Sequence, residues 1–187
     1  MKKREEKQIE KESWIYTLLL AVLAILWITI KDYTFQVLEI SFSFSLFLLP
    51  FTYFLVKNII KKCGYKRAIL SIVISTVAFV CFSALSSFAL KEVFDLSNVK
   101  NEFYSYLGSQ LIFVSIYRYL IEEIEDNIFI SSLNYLFATI IYHMISTFVG
   151  LEKIQLNLFL LKYFLTLGIQ AVICFFIAFI EKKYIKK

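Results

Sequence analysis

Between Ala68 and Leu90 the chain runs without one charged side chain, and Ile128–Leu151 is almost as bare. The hydrocarbon core of a bilayer, about 30 Å thick, is crossed by a helix of about 20 apolar residues, so runs of this length select lipid as their solvent. Further runs at Trp14–Ile30, about Ser43–Val56, Tyr106–Leu120 and Leu156–Ile180 bring the expected spans to about six. The composition agrees: 59% of residues are hydrophobic, against roughly 45–50% in soluble domains. Mean hydropathy is +0.71. Gly and Pro are scarce, at 4 and 1, and the alternating segments of about ten residues that build membrane barrels are largely missing. The expected fold is all-α, a polytopic membrane protein made of a bundle of about six transmembrane helices.

Charge placement divides the chain into a charged cytoplasmic segment at 1–13, a six-helix transmembrane domain at 14–180 and a basic cytoplasmic tail at 181–187. Lys31 and Asp32 end the first span, and without a small-residue cleavage site this span reads as an anchor, not a removed signal peptide. Pro50 lies inside the expected second span and predicts a kink, because proline removes a backbone donor. The alternation from Glu39 to Ser45 predicts an extended hairpin just before it. Lys91–Ser105 and the acidic run Glu122–Asp126 read as polar loops, and no clear internal repeat is present.

Of the 20 Lys and Arg residues, 15 fall on the side that holds both termini, with Lys57, Lys61, Lys62, Lys66 and Arg67 counted in one loop there. Lys31, Lys91, Lys100 and Lys153 fall on the other side, so the positive-inside rule predicts cytoplasmic termini. These basic residues sit in short segments between apolar runs. That is the distribution of topology signals, and it excludes a continuous nucleic-acid face.

Polar residues recur on single helix faces. On the fifth span Ser131, Tyr135, Thr139, Tyr142 and Ser146 fall within about 80° of one another. Tyr106, Gln110, Phe113 and Tyr117 share a face of the fourth; Lys162, Thr166 and Gln170 of the sixth; Ser71, Ser75, Phe82 and Ser86 of the third. Polar groups in hydrocarbon must find partners, so these faces are expected to turn inward, as helix–helix contacts or as a shared cavity. An ionisable residue within a span is a functional candidate by default, which singles out Lys162; the alternative is snorkelling to the interface. His143, the one histidine, has no carboxylate or cysteine neighbour and reads as a hydrogen-bonded structural residue. Cys63, Cys81 and Cys174 are scattered and read as apolar packing. No nucleophile–base pair, phosphate loop or metal spacing occurs, so neither an enzyme nor a bound metal or cofactor is expected.

Leu48-Leu49-Pro50-Phe51-Thr52-Tyr53-Phe54, followed by Cys63-Gly64-Tyr65-Lys66-Arg67-Ala68, resembles the queuosine-precursor transporter family, also called the putative vitamin uptake transporter (VUT) family. Ser109-Gln110-Leu111, Ile130-Ser131-Ser132-Leu133 ahead of Ile140–Phe148, and Lys162 are similar to further family segments, in order, over roughly residues 38–183. The resemblance implies a six-helix bundle in the bacterial inner membrane that imports deazaguanine precursors of a modified tRNA base. At three positions where the family tends to carry carboxylates this chain has Lys57, Phe113 and Thr139, which marks a divergent member.

The expected function is therefore a small-solute importer with Gln110, Tyr117, Tyr135, Thr139, Lys162 and Gln170 lining a midplane pocket for a planar polar ligand. The expected partners are the lipid bilayer, the solute, and either a second copy of the chain or separate energising subunits. The alternatives are the substrate-binding subunit of an energy-coupling-factor transporter and a membrane scaffold that binds a partner helix.

Overall fold

A computed structural model of the chain describes residues 2–30, 33–37, 40–89, 96–121, 128–150 and 156–185. Six α-helices carry it: α1 (Lys2–Ile30), α2 (Leu49–Cys63), α3 (Tyr65–Ala89), α4 (Leu96–Ile116), α5 (Ile128–Gly150) and α6 (Leu156–Ile180). Two short antiparallel strands, β1 (Thr34–Val37) and β2 (Ile40–Ser43), form a hairpin before α2, with Thr34 opposite Ser43 and Phe35 opposite Phe42. The expected hairpin is thus present over Ile40–Ser43, while Phe44 and Ser45 enter a single 3-10 turn, Phe44–Phe47. Among the described residues, five helical segments are long and apolar enough to cross a membrane. The remaining helix, α4, carries Lys100, Asn101 and Glu102 near its start and is more polar.

The centre of the bundle is α2, which packs against all five other helices. Of its spanning segment 61% is buried, against 28–33% for the other four. A helix wrapped by protein need not present an apolar surface to lipid. That is why α2 can hold Thr52, Lys57 and Asn58 in its buried set. The outer helices bury one side only and leave Leu18, Val77, Phe164, Val172 and Phe176 exposed, as lipid-facing helices do. Since lipid is as apolar as these side chains, packing and interhelical hydrogen bonds hold the helices together. Thr17 Oγ1 meets Ser71 Oγ at 2.6 Å between α1 and α3, and Tyr53 donates to the Ala138 carbonyl at 3.1 Å between α2 and α5. At Gly108, α4 approaches α5 so nearly that an added methyl would meet Ile145 Cδ1 at 2.8 Å.

Several boundaries differ from those expected. The 1–13 segment, read as a separate charged head, is helical from Lys2 and continuous with the span. Helix α2 covers Leu49–Cys63 instead of Ser43–Val56, which puts Pro50 in its first turn. No backbone donor is needed there, so the proline starts the helix and does not kink it. Of the expected Lys91–Ser105 loop, residues 96–105 belong to α4. Glu181, read as the start of a solvated tail, is 4% exposed and begins a π turn, Glu181–Ile185, that continues α6. Phe82 faces outward, and Phe79 takes the buried place on α3. Lys31, Asp32, Glu39, Lys91, Lys153 and the acidic run Glu122–Asp126 lie outside the described residues.

Gly64 is the whole connection between α2 and α3. Its N–H closes α2 on the Ile60 carbonyl (3.0 Å), and its own carbonyl receives Ala68 N–H (3.2 Å) as α3 begins. Its backbone, at φ 83° and ψ 168°, is a conformation that essentially only glycine tolerates. Open space surrounds its Cα, so backbone strain alone sets the cost of a side chain. Gly64→Ala is expected to destabilise the bundle by about 1–3 kcal/mol, read as a lower midpoint in thermal unfolding of the detergent-solubilised protein.

Candidate functional site

Lys62 pairs with Glu12 and Lys57 with Glu181, so the first part of α1, the end of α2 and the turn after α6 share one end of the bundle, which is the end that holds the termini. The other end holds a cavity of about 380 Å³. Five helices and the hairpin contribute to it. Trp27 comes from α1, Phe42 and Ser43 from β2, Ser45 and Leu46 from the turn, and Leu49 from α2. Glu102 comes from α4; Tyr142, His143, Ser146 and Thr147 from α5; Lys162, Tyr163 and Thr166 from α6.

The cavity has an aromatic floor. The Trp27 ring stacks on Tyr106 at 5.8 Å and meets Tyr142 and Phe79 edge-on at 5.7 and 6.3 Å. Tyr142 donates to Glu102 Oε2 at 2.7 Å, which fixes a half-buried carboxylate at the cavity wall. His143 Nε2 lies 3.1 Å from Gln170 Oε1, a hydrogen bond that the imidazole donates in the tautomer protonated at Nε2. The imidazole edges meet Tyr142 at 5.3 Å and Tyr163 at 6.2 Å. The site therefore offers flat π surfaces, hydroxyls, an oriented imidazole, an anionic group at Glu102 and a cationic one at Lys162.

A densely packed layer lies beneath. Gln110, fully buried, donates from Nε2 to Thr52 Oγ1 at 2.6 Å, while its Oε1 meets no partner among the described residues. Gln170, likewise buried, meets His143 at Oε1, while its Nε2 has no partner among the described residues. Tyr53, Phe113 and Tyr135 form a ring ladder through this layer, at 5.3 and 6.1 Å.

At the end that holds the termini the bundle is sealed by charge. Lys57, 1% exposed, lies 2.9 and 3.0 Å from the two carboxylate oxygens of Glu181 and donates to Ser131 Oγ at 2.8 Å. Tyr135 donates to Glu181 Oε2 at 2.9 Å, and the Lys61 ammonium stands 3.5 Å from Oε1.

The six residues expected to share one pocket are distributed over these three levels. Lys162 is exposed and lines the cavity mouth. Gln170 stands one hydrogen bond behind the cavity wall, through His143. Gln110 and Thr139 are fully buried in the middle layer, and Tyr117 and Tyr135 lie toward the sealed end. The α4, α5 and α6 stripes do face inward, apart from Lys162 at the mouth, but they occupy successive levels of the bundle instead of a single chamber.

Three important residues escaped the sequence reading: Glu102, Lys57 and Glu181. For Glu102 a signal existed, because it extends the α4 stripe of Tyr106, Gln110, Phe113 and Tyr117 by one further turn.

The fold and the apolar segments define a multi-pass, all-α membrane protein. Comparison with protein-family models, curated proteins and solved structures finds no match to this chain.

Proposed function

We propose that the chain is a small-solute transporter of the importer type, set in a bacterial inner membrane with both termini in the cytoplasm. The observation that carries this reading is the cavity at the end opposite the termini, open to one side and lined by five helices with aromatic and charged groups. Pockets of about 300–1,000 Å³ with a few convergent polar groups are the usual form of small-molecule sites. The positive-inside count supports the orientation, which turns the cavity outward.

A planar, nitrogen-rich solute suits the lining. Trp27 and Tyr142 offer faces and edges for a ring, and Glu102 offers an acceptor for ring N–H or amino groups. A deazaguanine precursor, which the family resemblance suggests, has this chemistry. Glu102 would supply a carboxylate that positions 57, 113 and 139 do not. The chain carries no phosphate-loop motif, which also supports the reading of a substrate-binding subunit that works with separate energising subunits.

The test is uptake of the radiolabelled queuosine precursor by a transporter-null strain. Expression of this chain is expected to raise uptake above the empty vector. Uptake equal to the vector, from protein shown to reach the membrane, would end the deazaguanine version.

A further inference from the structure

The bundle has a cavity at one end and a buried ion pair at the other, with a packed layer between them. We propose that a solute path runs through this layer and that Lys57 and Glu181 are its inner gate, a latch that keeps the terminal end shut while the cavity end stands open. The proposal rests on the transport reading above, and its test reads a different property.

The latch joins residues 124 positions apart on helices that also build the cavity. Helix α2 reaches the cavity through Leu49 and the latch through Lys57. Helix α5 contributes His143 above, and Ser131 and Tyr135 below. Helix α6 contributes Thr166 above, and Glu181 follows at its end. Packed helices tilt and slide as near-rigid rods, so closing α5 and α6 around a solute spreads their opposite ends. The latch lies where that spreading occurs.

Its chemistry suits a bond that must break and re-form. Removing one partner from a buried ion pair leaves a costly isolated charge. Here Lys61, 31% exposed along its side chain and already 3.5 Å from Glu181, stands ready to hold the carboxylate when Lys57 withdraws. Tyr135 can keep its hydrogen bond to Glu181 during the exchange.

The backbone around the latch is also unusual. Two π turns, Tyr117–Ile121 after α4 and Glu181–Ile185 after α6, lie at this end. Such widened turns are rare and recur at functional sites. Glu181 opens one of them. Tyr117 opens the other and reaches Tyr135 through the ring of Phe113, at 6.2 and 6.1 Å.

A native reporter lies above the latch. Cys174 is fully buried on α6, about two helical turns from Glu181 toward the cavity. With Cys63→Ser and Cys81→Ser it becomes the sole thiol. Membrane vesicles are treated with a membrane-impermeant maleimide, applied separately to each face. With the latch intact, labelling from the face that holds the termini is expected to be slow. Glu181→Gln is expected to accelerate it at least tenfold, and the exchange Lys57→Glu/Glu181→Lys to bring it back near the starting rate. An unchanged rate in both Glu181→Gln and the neutral pair Lys57→Met/Glu181→Met overturns the gate. So does equal acceleration in the charge-exchanged protein, which would trace the effect to loosened packing. No solute is needed, so a failed uptake assay leaves this readout standing.

Discussion

Lys57→Met is expected to lower the stability of the bundle by about 3–5 kcal/mol, among the largest effects of any single substitution in this chain. The loss comes less from the bond itself than from what remains, a Glu181 carboxylate with only 4% of its surface exposed and without its main counter-charge. Lys61 can partly replace the missing ammonium, so a value near the lower bound, about 3 kcal/mol, is expected. Removing both charges should behave differently. In Lys57→Met/Glu181→Met neither charge of the pair remains, and stability is expected to return to within about 1–2 kcal/mol of the starting protein or above it. Thermal unfolding in detergent compares the single and double variants directly. A double variant no more stable than Lys57→Met would show that the buried charge is not the source of the loss.

On the importer reading proposed above, Glu102→Gln is expected to weaken solute uptake by roughly ten- to a hundredfold, corresponding to about 1.5–3 kcal/mol for a hydrogen bond to a charged group. The substitution preserves size and leaves an amide oxygen to accept from Tyr142, so the cavity wall should hold its shape. The change removes the charge alone. Tyr142→Phe is the complementary variant: it keeps the carboxylate but frees it to rotate, and a smaller loss is expected. Concentration dependence of uptake separates the two, with Glu102→Gln acting mainly on the apparent KM. Wild-type uptake by Glu102→Gln would remove the carboxylate from solute recognition.

What could be read in advance follows from the range of each signal. The limits of α6, Leu156–Ile180, agree with the expected span because hydropathy changes abruptly at both ends. The inward faces of α4 and α5 were legible for a similar reason, since a periodicity of 100° per residue is local. Polarity makes Lys100, Asn101 and Glu102 look like a loop, so the expected helix is shorter than α4. They are helical residues, and Glu102 lines the cavity. Lys57 and Glu181 were each assigned to solvent, as isolated charges near a span end usually are. Only their pairing buries them, and a contact across 124 positions leaves no trace in either neighbourhood. The cavity was hidden for the same reason. Its lining comes from the ends of elements scattered from Trp27 to Thr166, and only the folded chain brings those ends together.

The single-residue corner at Gly64 leaves α2 and α3 no slack. A tether that short lets the two helices swing as one lever about a fixed fulcrum, but does not let either slide past the other. Tyr65, the first residue beyond the corner, carries Arg118 over its ring at 5.5 Å, which ties the same fulcrum to the end of α4. A ligand or antibody fragment that clasped this corner from the aqueous side could therefore arrest the whole central shaft without approaching the cavity.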